Sequence, residues 1–484
     1  MGVLSGLEPQ IVFNYFEEIS KIPRGSHNTK AVSDFLADFA KKNELKYRQD
    51  ELGNVIIFVP ATAGYEDKKS VILQGHMDMV CEKTTDSKHD FLKDPLDIAV
   101  MDDEIFARGT TLGGDDGIAL AYGMAASVDK SFPHPALEII FTIDEEVGMD
   151  GAIGLDTSDL KAGYMLNLDS EDEGIIVTSS AGGLKATMSV PVKYRKMSGE
   201  EYKIIISGLS GGHSGIEIDK YNANAIILMG RLLHFLKANN VDFHICGLDG
   251  GLMDNAIPRD ADCDVIISED SVDSFEGLIS EFENTVKNEY RANEHNIMIY
   301  CDHIGTSEKE VLRKKHEERV IFLLNTVPDG VQKVSQEPAT KGLVETSLNN
   351  GIMRLTEKDF YLHASLRSSI SSAKAALSDK LRYLTETIGG TYTTSGDYPA
   401  WEYNDESHLL NVATDVFKEQ YGRDPEVIGI HAGVECGIFY EKIPGLDIIS
   451  IGPDMKGVHT PLEKLYIGSV KRTWEYIKGI LSAI

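Results

Sequence analysis

The sequence predicts an α/β protein in which a domain built on a mostly parallel sheet is split by an inserted α+β domain. Short apolar runs alternate with segments of helical periodicity in the first part of the chain, and this pattern returns near its end. Between the two parts, strands of alternating polarity are interleaved with longer helices. We therefore assign residues 1–185 and 399–484 to the first domain and residues 186–398 to the inserted domain.

The first part of the chain begins with two helices and continues with buried strands. Apolar residues recur at helical spacing over residues 9–23 and 28–43, and the sequence Pro23-Arg24-Gly25-Ser26 breaks the pattern between them. Three apolar runs are then typical of strands buried on both faces of a sheet. They start at Val71, Leu137 and Tyr164.

The inserted domain contains a recurring order of elements. A strand–helix–strand–strand–helix–strand order in its first half is followed, more weakly, by the same order in its second half. Two successive β-α-β-β-α-β halves would account for this recurrence.

Composition and charge restrict the classes of function. A formal net charge of -30 over 484 residues argues against binding to a nucleic-acid backbone or to an anionic membrane surface. No apolar run approaches the ~20 residues that span a bilayer, and the first residues lack the pattern of a signal peptide. The five cysteines are scattered and form no C-x-x-C pair, which is typical of a reducing compartment. We expect a cytoplasmic protein that binds neither nucleic acid nor membranes.

Potential metal ligands follow each of the three buried strands at the point where it ends. The first end has a His-x-Asp pair, the second a Glu-Glu pair and the third a single Asp. The carboxyl ends of parallel strands share one edge of a sheet, so these side chains are expected to meet there. Two further candidates lie in a glycine-rich turn before a helix and late in the chain. The full set is His76, Asp78, Asp115, Glu145, Glu146, Asp169 and His459.

The chemistry of this set favours a site for two metal ions. Two imidazoles and several carboxylates suit zinc or manganese, and they exceed the four ligands that close a structural zinc site. Glu145 and Glu146 are adjacent and diverge in direction, so one as ligand and the other as proton carrier is the economical division. His76 and Asp78 point the same way on an extended chain, and Asp78 can orient His76. Taken alone, the pair could also be a surface histidine near an acid.

The order of these motifs resembles that of a known family. A His-x-Asp pair, a Gly-x-Asp-Asp turn, a Glu-Glu-x-Gly turn, a strand-end Asp and a late His are similar to the pattern of the di-zinc superfamily of aminoacylases, carboxypeptidases and dipeptidases. Four further segments narrow the resemblance to the aminoacyl-histidine (Xaa-His) dipeptidases, and it extends over nearly the whole chain. These segments are Gly208–Gly215, Asn255–Arg259, His431–Gly437 and His459–Pro461.

The resemblance implies the ligands of two zinc ions, for which Mn²⁺ or Co²⁺ are suitable substitutes. One ion would be held by His76 and Asp169. The other would be held by Glu146 and His459, and Asp115 would bridge the two ions.

Three neighbouring acids receive other roles from the resemblance. Asp78 would orient a ligand histidine, and Glu145 would be the general base. The ligand in the family's Asp-Asp pair is the first residue, which leaves Asp116 a structural role at the start of a helix.

The resemblance also assigns residues to the substrate. His213 would donate to the oxyanion, and Asn255 and Arg367 would belong to a substrate-binding lid, with the Arg367 guanidinium suited to a free C-terminal carboxylate. Apart from the resemblance, Glu435 could contact the substrate amine. From the residues alone, His213 could be part of a flexible turn, Arg367 a surface residue on an edge strand and Glu435 a helix cap. The other histidines, His27 among them, lack companions at useful spacing.

The activity that the resemblance implies is that of a metal-dependent dipeptidase acting on Xaa-His and other dipeptides. Water activated by the two zinc ions would attack the peptide carbonyl, with Glu145 as general base. An alternative is an N-acyl amino-acid deacylase or another amidohydrolase on the same fold. A third hypothesis is an inactive binding protein, but the complete ligand set argues against it. The expected partners are small dipeptide substrates and a second copy of the chain in a homodimer.

Overall fold

The computed structural model describes residues 2–337 and 340–484, which form two compact units. The first unit comprises the residues up to Ser179 together with Tyr403–Gly429 and Val434–Ile484. The second unit comprises Ser180–Glu402 and the short segment Ile430–Gly433. The predicted boundaries, 185/186 and 398/399, differ from the observed ones by a few residues. No sequence pattern marked the segment 430–433.

Helices and strands are numbered in chain order. The helices are α1 (Gln10–Ile19), α2 (Lys30–Lys42), α3 (Gly114–Val128), α4 (Asp150–Gly154), α5 (Ala225–Ala238), α6 (Val272–Glu289), α7 (Lys314–Thr326), α8 (Ser371–Thr387), α9 (His408–Tyr421), α10 (Glu435–Lys442) and α11 (Ile467–Ala483). The strands are β1 (Lys46–Gln49), β2 (Val55–Val59), β3 (Val71–His76), β4 (Ile98–Met101), β5 (Glu104–Ala107), β6 (Leu137–Thr142), β7 (Tyr164–Asn167), β8 (Ile175–Ser180), β9 (Gly182–Pro191), β10 (Tyr194–Ser207), β11 (Phe243–Gly250), β12 (Ala261–Ile267), β13 (Met298–Leu312), β14 (Gly330–Val334), β15 (Val344–Leu355), β16 (Asp359–Ser368), β17 (Thr391–Tyr398), β18 (Glu426–Ile430), β19 (Asp447–Ser450), β20 (Met455–Lys456) and β21 (Lys464–Tyr466).

The main sheet of the first unit has eight strands in the order β1-β2-β6-β3-β7-β19-β8-β18. Its central strands β6, β3, β7 and β19 run parallel to one another. The flanks are antiparallel, because β2 pairs antiparallel with both β1 and β6 and β8 pairs antiparallel with β19. Every residue of β3 and β6 is buried, as expected for strands covered on both faces. The predicted α/β class is confirmed, with a parallel arrangement confined to the centre of the sheet.

One hydrophobic core fills the first unit and fixes α3 against the sheet. Phe16 of α1, Tyr122 of α3 and Trp474 of α11 belong to this core and are almost completely buried. A Cβ atom at Gly123 of α3 would lie 2.8 Å from side-chain atoms of the β6 residues Ile139 and Phe141. The glycine therefore lets α3, whose first turn contains Asp115, approach β6 closely.

A small four-stranded sheet, β20-β21-β5-β4, completes the first unit. The strands β4 and β5 form a hairpin around Asp102, and β21 pairs antiparallel with β5. The segment that joins β20 to β21 contains His459, so this sheet fixes both ends of the loop with the late histidine.

The second unit is built on a nine-stranded antiparallel sheet. Eight strands follow the order β13-β10-β12-β11-β15-β16-β9-β17, and β14 pairs with β15. One half consists of β10, α5, β11, β12, α6 and β13, and the other of β9, α7, β15, β16, α8 and β17. The strand order of the second half mirrors that of the first about the β11–β15 contact. The two predicted β-α-β-β-α-β halves are confirmed, except that the second half takes its first strand from the chain before the first half.

The second unit has its own hydrophobic core, in which Phe243, Phe275 and Phe360 are fully buried. Among the described residues, none of the helices in either unit combines the length and the apolar character that crossing a bilayer would require.

Candidate metal centre

Three neighbouring strands bring the predicted ligands to one edge of the main sheet. His76 is the last residue of β3, and β3 lies between β6 and β7 with parallel register on both sides. Glu145 and Glu146 follow β6, and Asp169 follows β7. Because parallel strands end at the same edge, these side chains converge as the sequence predicts.

The first turn of α3 and the loop before β21 supply the remaining two candidates. Asp115 lies at the start of α3, where it and Asp116 have non-helical dihedral angles. His459 follows β20 and has a positive φ of 63°, a conformation that is uncommon for residues other than glycine.

Asp115 contacts both histidines. Its Oδ1 atom lies 3.0 Å from Nε2 of His76, and its Oδ2 atom lies 3.0 Å from Nε2 of His459. His76 Nε2 is also 3.4 Å from Oδ1 of Asp169, and His459 Nε2 is 3.0 Å from Oε1 of Glu146. The five predicted ligands therefore form two groups that share one carboxylate.

Asp78 lies behind His76 and joins the first strand end to the turn after β6. Its Oδ1 atom is 3.4 Å from His76 Nδ1, which also lies 3.1 Å from the Asp78 carbonyl oxygen. The Asp78 carboxylate accepts hydrogen bonds from the backbone N–H groups of Glu145 and Glu146 and from the Ser26 hydroxyl. Burial opposes ionisation of Asp78, but the contact with His76 and these hydrogen bonds outweigh it and lower its pKa to about 2.

Several acids of the site have raised pKa values because they are buried close together. Burial raises the pKa of Asp169 to about 7, against the opposing effect of the His76 charge. Burial raises the pKa of Glu145 well above its usual range, and the charges of Asp169, Glu435 and Glu146 add to the effect. A carboxylate whose pKa is raised in this way accepts a proton more readily than an ordinary one, as a general base requires.

The same negative charges also raise the pKa values of the two histidines, which favours their protonated, positively charged forms. Hydrogen bonds to Asp115 and Glu146 raise the pKa of His459 to about 11. Burial lowers the pKa of His76, but Asp169, Asp115 and Asp78 outweigh that effect and raise it well above its usual value. The protein itself places more negative than positive charge at this edge.

The residues fit a centre for divalent cations. Three groups have ligand atoms within 4.8 Å of one another: His76 with Asp116 and Asp169, His76 with Glu145 and Glu146, and Asp115 with Glu146 and His459. Imidazole and carboxylate are the donors that zinc, manganese and cobalt accept. A bound cation would also relieve the repulsion that raises the pKa of Asp169. Asp116 accepts a hydrogen bond from the His76 N–H at 3.1 Å, and its Oδ1 atom has no hydrogen-bond partner among the described residues.

Glu463 is a buried residue that the sequence analysis did not single out. Its carboxylate accepts hydrogen bonds from the N–H groups of Leu112, Gly113 and Gly114 at 2.7–3.0 Å. It therefore caps the start of α3 and fixes the turn that precedes Asp115. The signal in the sequence was an acid four residues after His459, which in isolation is typical of any surface loop.

A row of buried polar side chains lies one layer beneath the ligands. Gln74 of β3 and Asn167 of β7 are register neighbours, and the Asn167 amide donates to the Gln74 carbonyl oxygen at 2.6 Å. The Gln74 amide and the Thr142 hydroxyl both donate to Glu435, at 2.5 and 2.7 Å. Ser450 of β19 donates to Asn167. Polar residues inside otherwise apolar strands were the sequence signal for this row.

Glu435 is fully buried at the start of α10. Burial raises its pKa to about 8, with the charge of His76 opposing. A carboxylate with no exposed surface is not open to a substrate amine, and the predicted contact of Glu435 with substrate does not follow from this structure. Its side chain instead accepts hydrogen bonds from Gln74 of β3 and Thr142 of β6 near the ends of these strands.

In the second unit, the loops that contain His213 and Asn255 are hydrogen-bonded to each other. His213 pairs with Ala256 in an isolated bridge, and the Ser214 N–H donates to the Asn255 carbonyl oxygen at 2.9 Å. Nδ1 of His213 accepts from the N–H groups of Gly215 and Ile216, which leaves the proton of the neutral ring on Nε2. Burial and the charge of Arg367 lower the pKa of His213, so the ring is a neutral donor at pH 7.

Arg367 lies on β16 of the second unit and is half-buried. Its Nη1 atom donates to the Tyr398 hydroxyl at 3.2 Å, and its Nε atom has no hydrogen-bond partner among the described residues. Burial, with the Arg367 charge adding, lowers the pKa of His431 to about 3. In the second unit, the positive charge of Arg367 therefore acts on both His213 and His431.

The chain belongs to peptidase family M20/M25/M40, because the family model matches residues 72–483. It is a peptide hydrolase, and the resemblance drawn from the sequence motifs is confirmed. A cytosol non-specific dipeptidase of Escherichia coli (strain K12) is 36% identical over 486 aligned residues, which cover 100% of this chain and 99% of that relative.

Solved structures agree with this assignment. The aminoacylhistidine dipeptidase of Vibrio alginolyticus matches with a TM-score of 0.94 and 35% identity, over 99% of this chain and 98% of the other. An aminopeptidase from Bacillus cereus matches with a TM-score of 0.56 and 16% identity over 99% of both chains, which is a likeness of fold alone.

Proposed function

We propose that the chain is a dipeptidase with two divalent cations, zinc in the first instance, that hydrolyses Xaa-His and other dipeptides. The observation that supports this is the Asp115 carboxylate, whose two oxygens each lie 3.0 Å from a different histidine. One cation would be held by His76 and Asp169 and the other by Glu146 and His459. The names of the E. coli and Vibrio relatives support a dipeptide substrate.

Bound cations would lower the pKa of a water molecule and polarise the scissile carbonyl. The residues of the chain then perform the proton transfers. Glu145 accepts the proton of the attacking water and returns it to the leaving amine, a role for which its raised pKa is suited. Asp78 keeps His76 oriented and, through the N–H groups of Glu145 and Glu146, fixes the turn that contains the base.

The second unit contains groups that suit the C-terminal carboxylate and the developing oxyanion of a dipeptide substrate. The Arg367 guanidinium matches a free C-terminal carboxylate, because a planar fork of N–H donors can bind both oxygens. The neutral His213 ring offers an Nε2 proton to a developing oxyanion. Asn255 is exposed and is proposed, by resemblance, to contact the substrate.

The test uses purified protein stripped of metal and reloaded with Zn²⁺, Mn²⁺ or Co²⁺, with a substrate panel that varies both ends. Ala-His and Ala-Ala should be hydrolysed, and their N-acetyl forms should not. Hydrolysis of N-acetyl amino acids in place of free dipeptides would instead identify a deacylase.

Glu145→Gln tests the mechanism separately from metal binding. It should retain the metal content of the wild type and lose about 10²–10⁴-fold in turnover, the usual contribution of a positioned base. Glu138→Gln is the matched control, because Glu138 is a buried carboxylate within β6 and lies near the end of that strand that is remote from Glu145, close to Ser70 and Lys161. Activity that survives Glu145→Gln, or metal content that falls with it, contradicts the assignment.

The name of the E. coli relative and the composition support a cytoplasmic location. A homodimer stays a prediction, which sedimentation of the metal-loaded protein measures.

A further inference from the structure

The loop between α1 and α2 contacts several parts of the metal centre through four consecutive residues. The sequence analysis treated this stretch as a break between helices and His27 as an ordinary histidine. In the structure, this stretch contacts three turns: the one that follows β3, the one that precedes α3 and the one that follows β6. The contacting residues are Arg24, Gly25, Ser26 and His27. We call these four residues the Arg24 loop.

Arg24 joins two of these turns with one guanidinium group. The side chain is 2% exposed, although arginine is rarely buried. Nη1 donates to the carbonyl oxygens of Met77 and Asp78 at 2.8 and 3.0 Å, and Nη2 donates to that of Gly113. The turn after His76 is thereby tied to the turn before Asp115. A lysine has the charge but lacks the rigid fork of donors that reaches three acceptors at once.

Two glycines make room for this guanidinium. A Cβ atom at Gly113 or at Gly117 would lie 2.5 Å from Nη2 of Arg24. The carboxylates of Glu463, Asp78, Asp116 and Asp115 surround the group and offset the burial that lowers its pKa. The glycine-rich turn before α3 therefore accommodates Arg24 as well as presenting Asp115.

The rest of the loop reaches the other strand ends. Gly25 forms a parallel bridge with Met79, and the Ser26 hydroxyl donates to Oδ2 of Asp78 at 2.8 Å. The N–H of His27 donates to Oδ1 of Asp144 at 2.7 Å. Asp144 has a positive φ of 52° and directly precedes Glu145, so this bond stabilises a backbone conformation that is costly for a non-glycine residue.

We propose that Arg24 and Ser26 are positioning residues that hold the His76–Asp78 turn and the Gly113–Asp115 turn in the mutual arrangement that binds two divalent cations, with the His27 N–H fixing the turn of Glu145. The proposal rests on the metal centre proposed above. Arg24 and Ser26 form their hydrogen bonds with protein groups of these two turns. Both act through the residues that they hold.

The test compares Arg24→Lys and Ser26→Ala with the controls Arg472→Lys and Ser20→Ala. Arg472 is paired with Glu173. Ser20 is buried at the end of α1 and donates to the Phe16 carbonyl oxygen at 2.8 Å. Zn²⁺ binding to metal-free protein is measured by titration calorimetry, the melting temperature of the same samples by circular dichroism, and kcat and KM after reloading.

Arg24→Lys and Ser26→Ala should weaken Zn²⁺ binding by about 10–100-fold, the usual effect of removing an outer partner of a ligand, and lower kcat more than KM. The controls should bind Zn²⁺ as the wild type does. A purely structural role would lower the melting temperature and leave the affinity of the folded protein unchanged, which would overturn the proposal.

Two outcomes separate the possible failures. If Arg24→Lys does not fold, the Zn²⁺ affinities of Ser26→Ala and Ser20→Ala are compared instead, because each of these variants lacks a single hydroxyl. A weaker affinity in Ser26→Ala alone supports the proposal, and equal affinities overturn it. If the wild type binds no divalent cation in this titration, the proposed metal centre itself fails, whereas wild-type affinity in the variants overturns only the role of the Arg24 loop.

Discussion

Carboxylates buried at the edge of the main sheet and carboxylates paired with lysine in the second unit have pKa values that are shifted in opposite directions. At the edge of the main sheet in the first unit, burial raises the pKa of Asp169 to about 7 and that of Glu435 to about 8. In the second unit, burial would raise the pKa of Glu317 as well, but contacts with His244 and Lys237 outweigh it and lower that pKa. Glu201 follows the same pattern through Ser307 and Lys309.

The opposite pKa shifts indicate different roles for the two sets of carboxylates. Carboxylates that are paired with lysine within the chain contribute to stability, whereas carboxylates left short of positive charge are suited to an external cation. Asp329 shows that the direction of the pKa shift depends on whether the carboxylate is paired with a positive charge, and not on the unit in which it lies. It lies in the second unit, accepts from the neutral amides of Asn350 and Asn224, and burial raises its pKa to about 6.

The largest expected effect comes from neutralising the shared carboxylate. Asp115→Asn should abolish the binding of at least one cation and lower activity by more than about 100-fold, because removing even an outer partner of a ligand costs about 10–100-fold. Metal content and kcat measure this. Asp116→Asn is the control, since Asp116 accepts from a backbone N–H. If Asp116→Asn loses the metal and Asp115→Asn does not, the ligand roles of the two acids are exchanged.

Arg367 of the second unit should affect substrate binding rather than the chemical step. Arg367→Ala should lower kcat/KM for dipeptides through KM by roughly 10–150-fold, which corresponds to the loss of a charged hydrogen bond worth about 1.5–3 kcal/mol. Hydrolysis of the corresponding dipeptide amides should change little. Arg354→Ala on the neighbouring strand β15 is the control. An equal loss on acids and amides would contradict the role of Arg367 as a carboxylate clamp.

The sequence predicted the candidate ligands His76, Glu146 and Asp169 because each lies at the end of a buried strand, and strand ends in a parallel sheet meet at one edge. The candidate roles of Asp115 and His459 came from the resemblance. It also predicted the two halves of the second unit, although β9 belongs to the half that follows. It could not predict Arg24 or Glu463, because their partners are backbone groups of turns that are distant in sequence. For Glu435 the sequence left a helix cap and a substrate contact open, and only the fold shows the row of Gln74 and Thr142 that buries it.

Glu435→Gln tests the raised pKa directly in metal-free protein. The folded-state pKa of about 8 lies above the ordinary value of 4.5, so the wild type loses stability as pH rises between these values. Glutamine does not titrate, and the variant should gain relative to the wild type by at most about 1.4 kcal/mol per pH unit over that window. Chemical unfolding from pH 4.5 to 8 measures this. Glu441→Gln, at an exposed position on the same helix, is the control. A stability difference between Glu435→Gln and the wild type that does not change with pH would contradict the raised pKa of Glu435.

The smallest effect is expected at Glu317, and its sign is the opposite. Glu317 accepts from Lys237 Nζ at 2.5 Å and from the Ile245 N–H at 2.9 Å, and its lowered pKa means that it stabilises the fold above about pH 4.5. That contribution is lost as pH falls through the folded-state pKa. Glu317→Gln should therefore cost about 1.5 kcal/mol at pH 7 and progressively less in acid, as chemical unfolding measures. Glu318→Gln, its exposed neighbour on α7, should follow the wild type. A Glu317→Gln variant that instead becomes relatively more stable as pH rises would place Glu317 with the unpaired carboxylates of the first unit and remove the contrast between the two units.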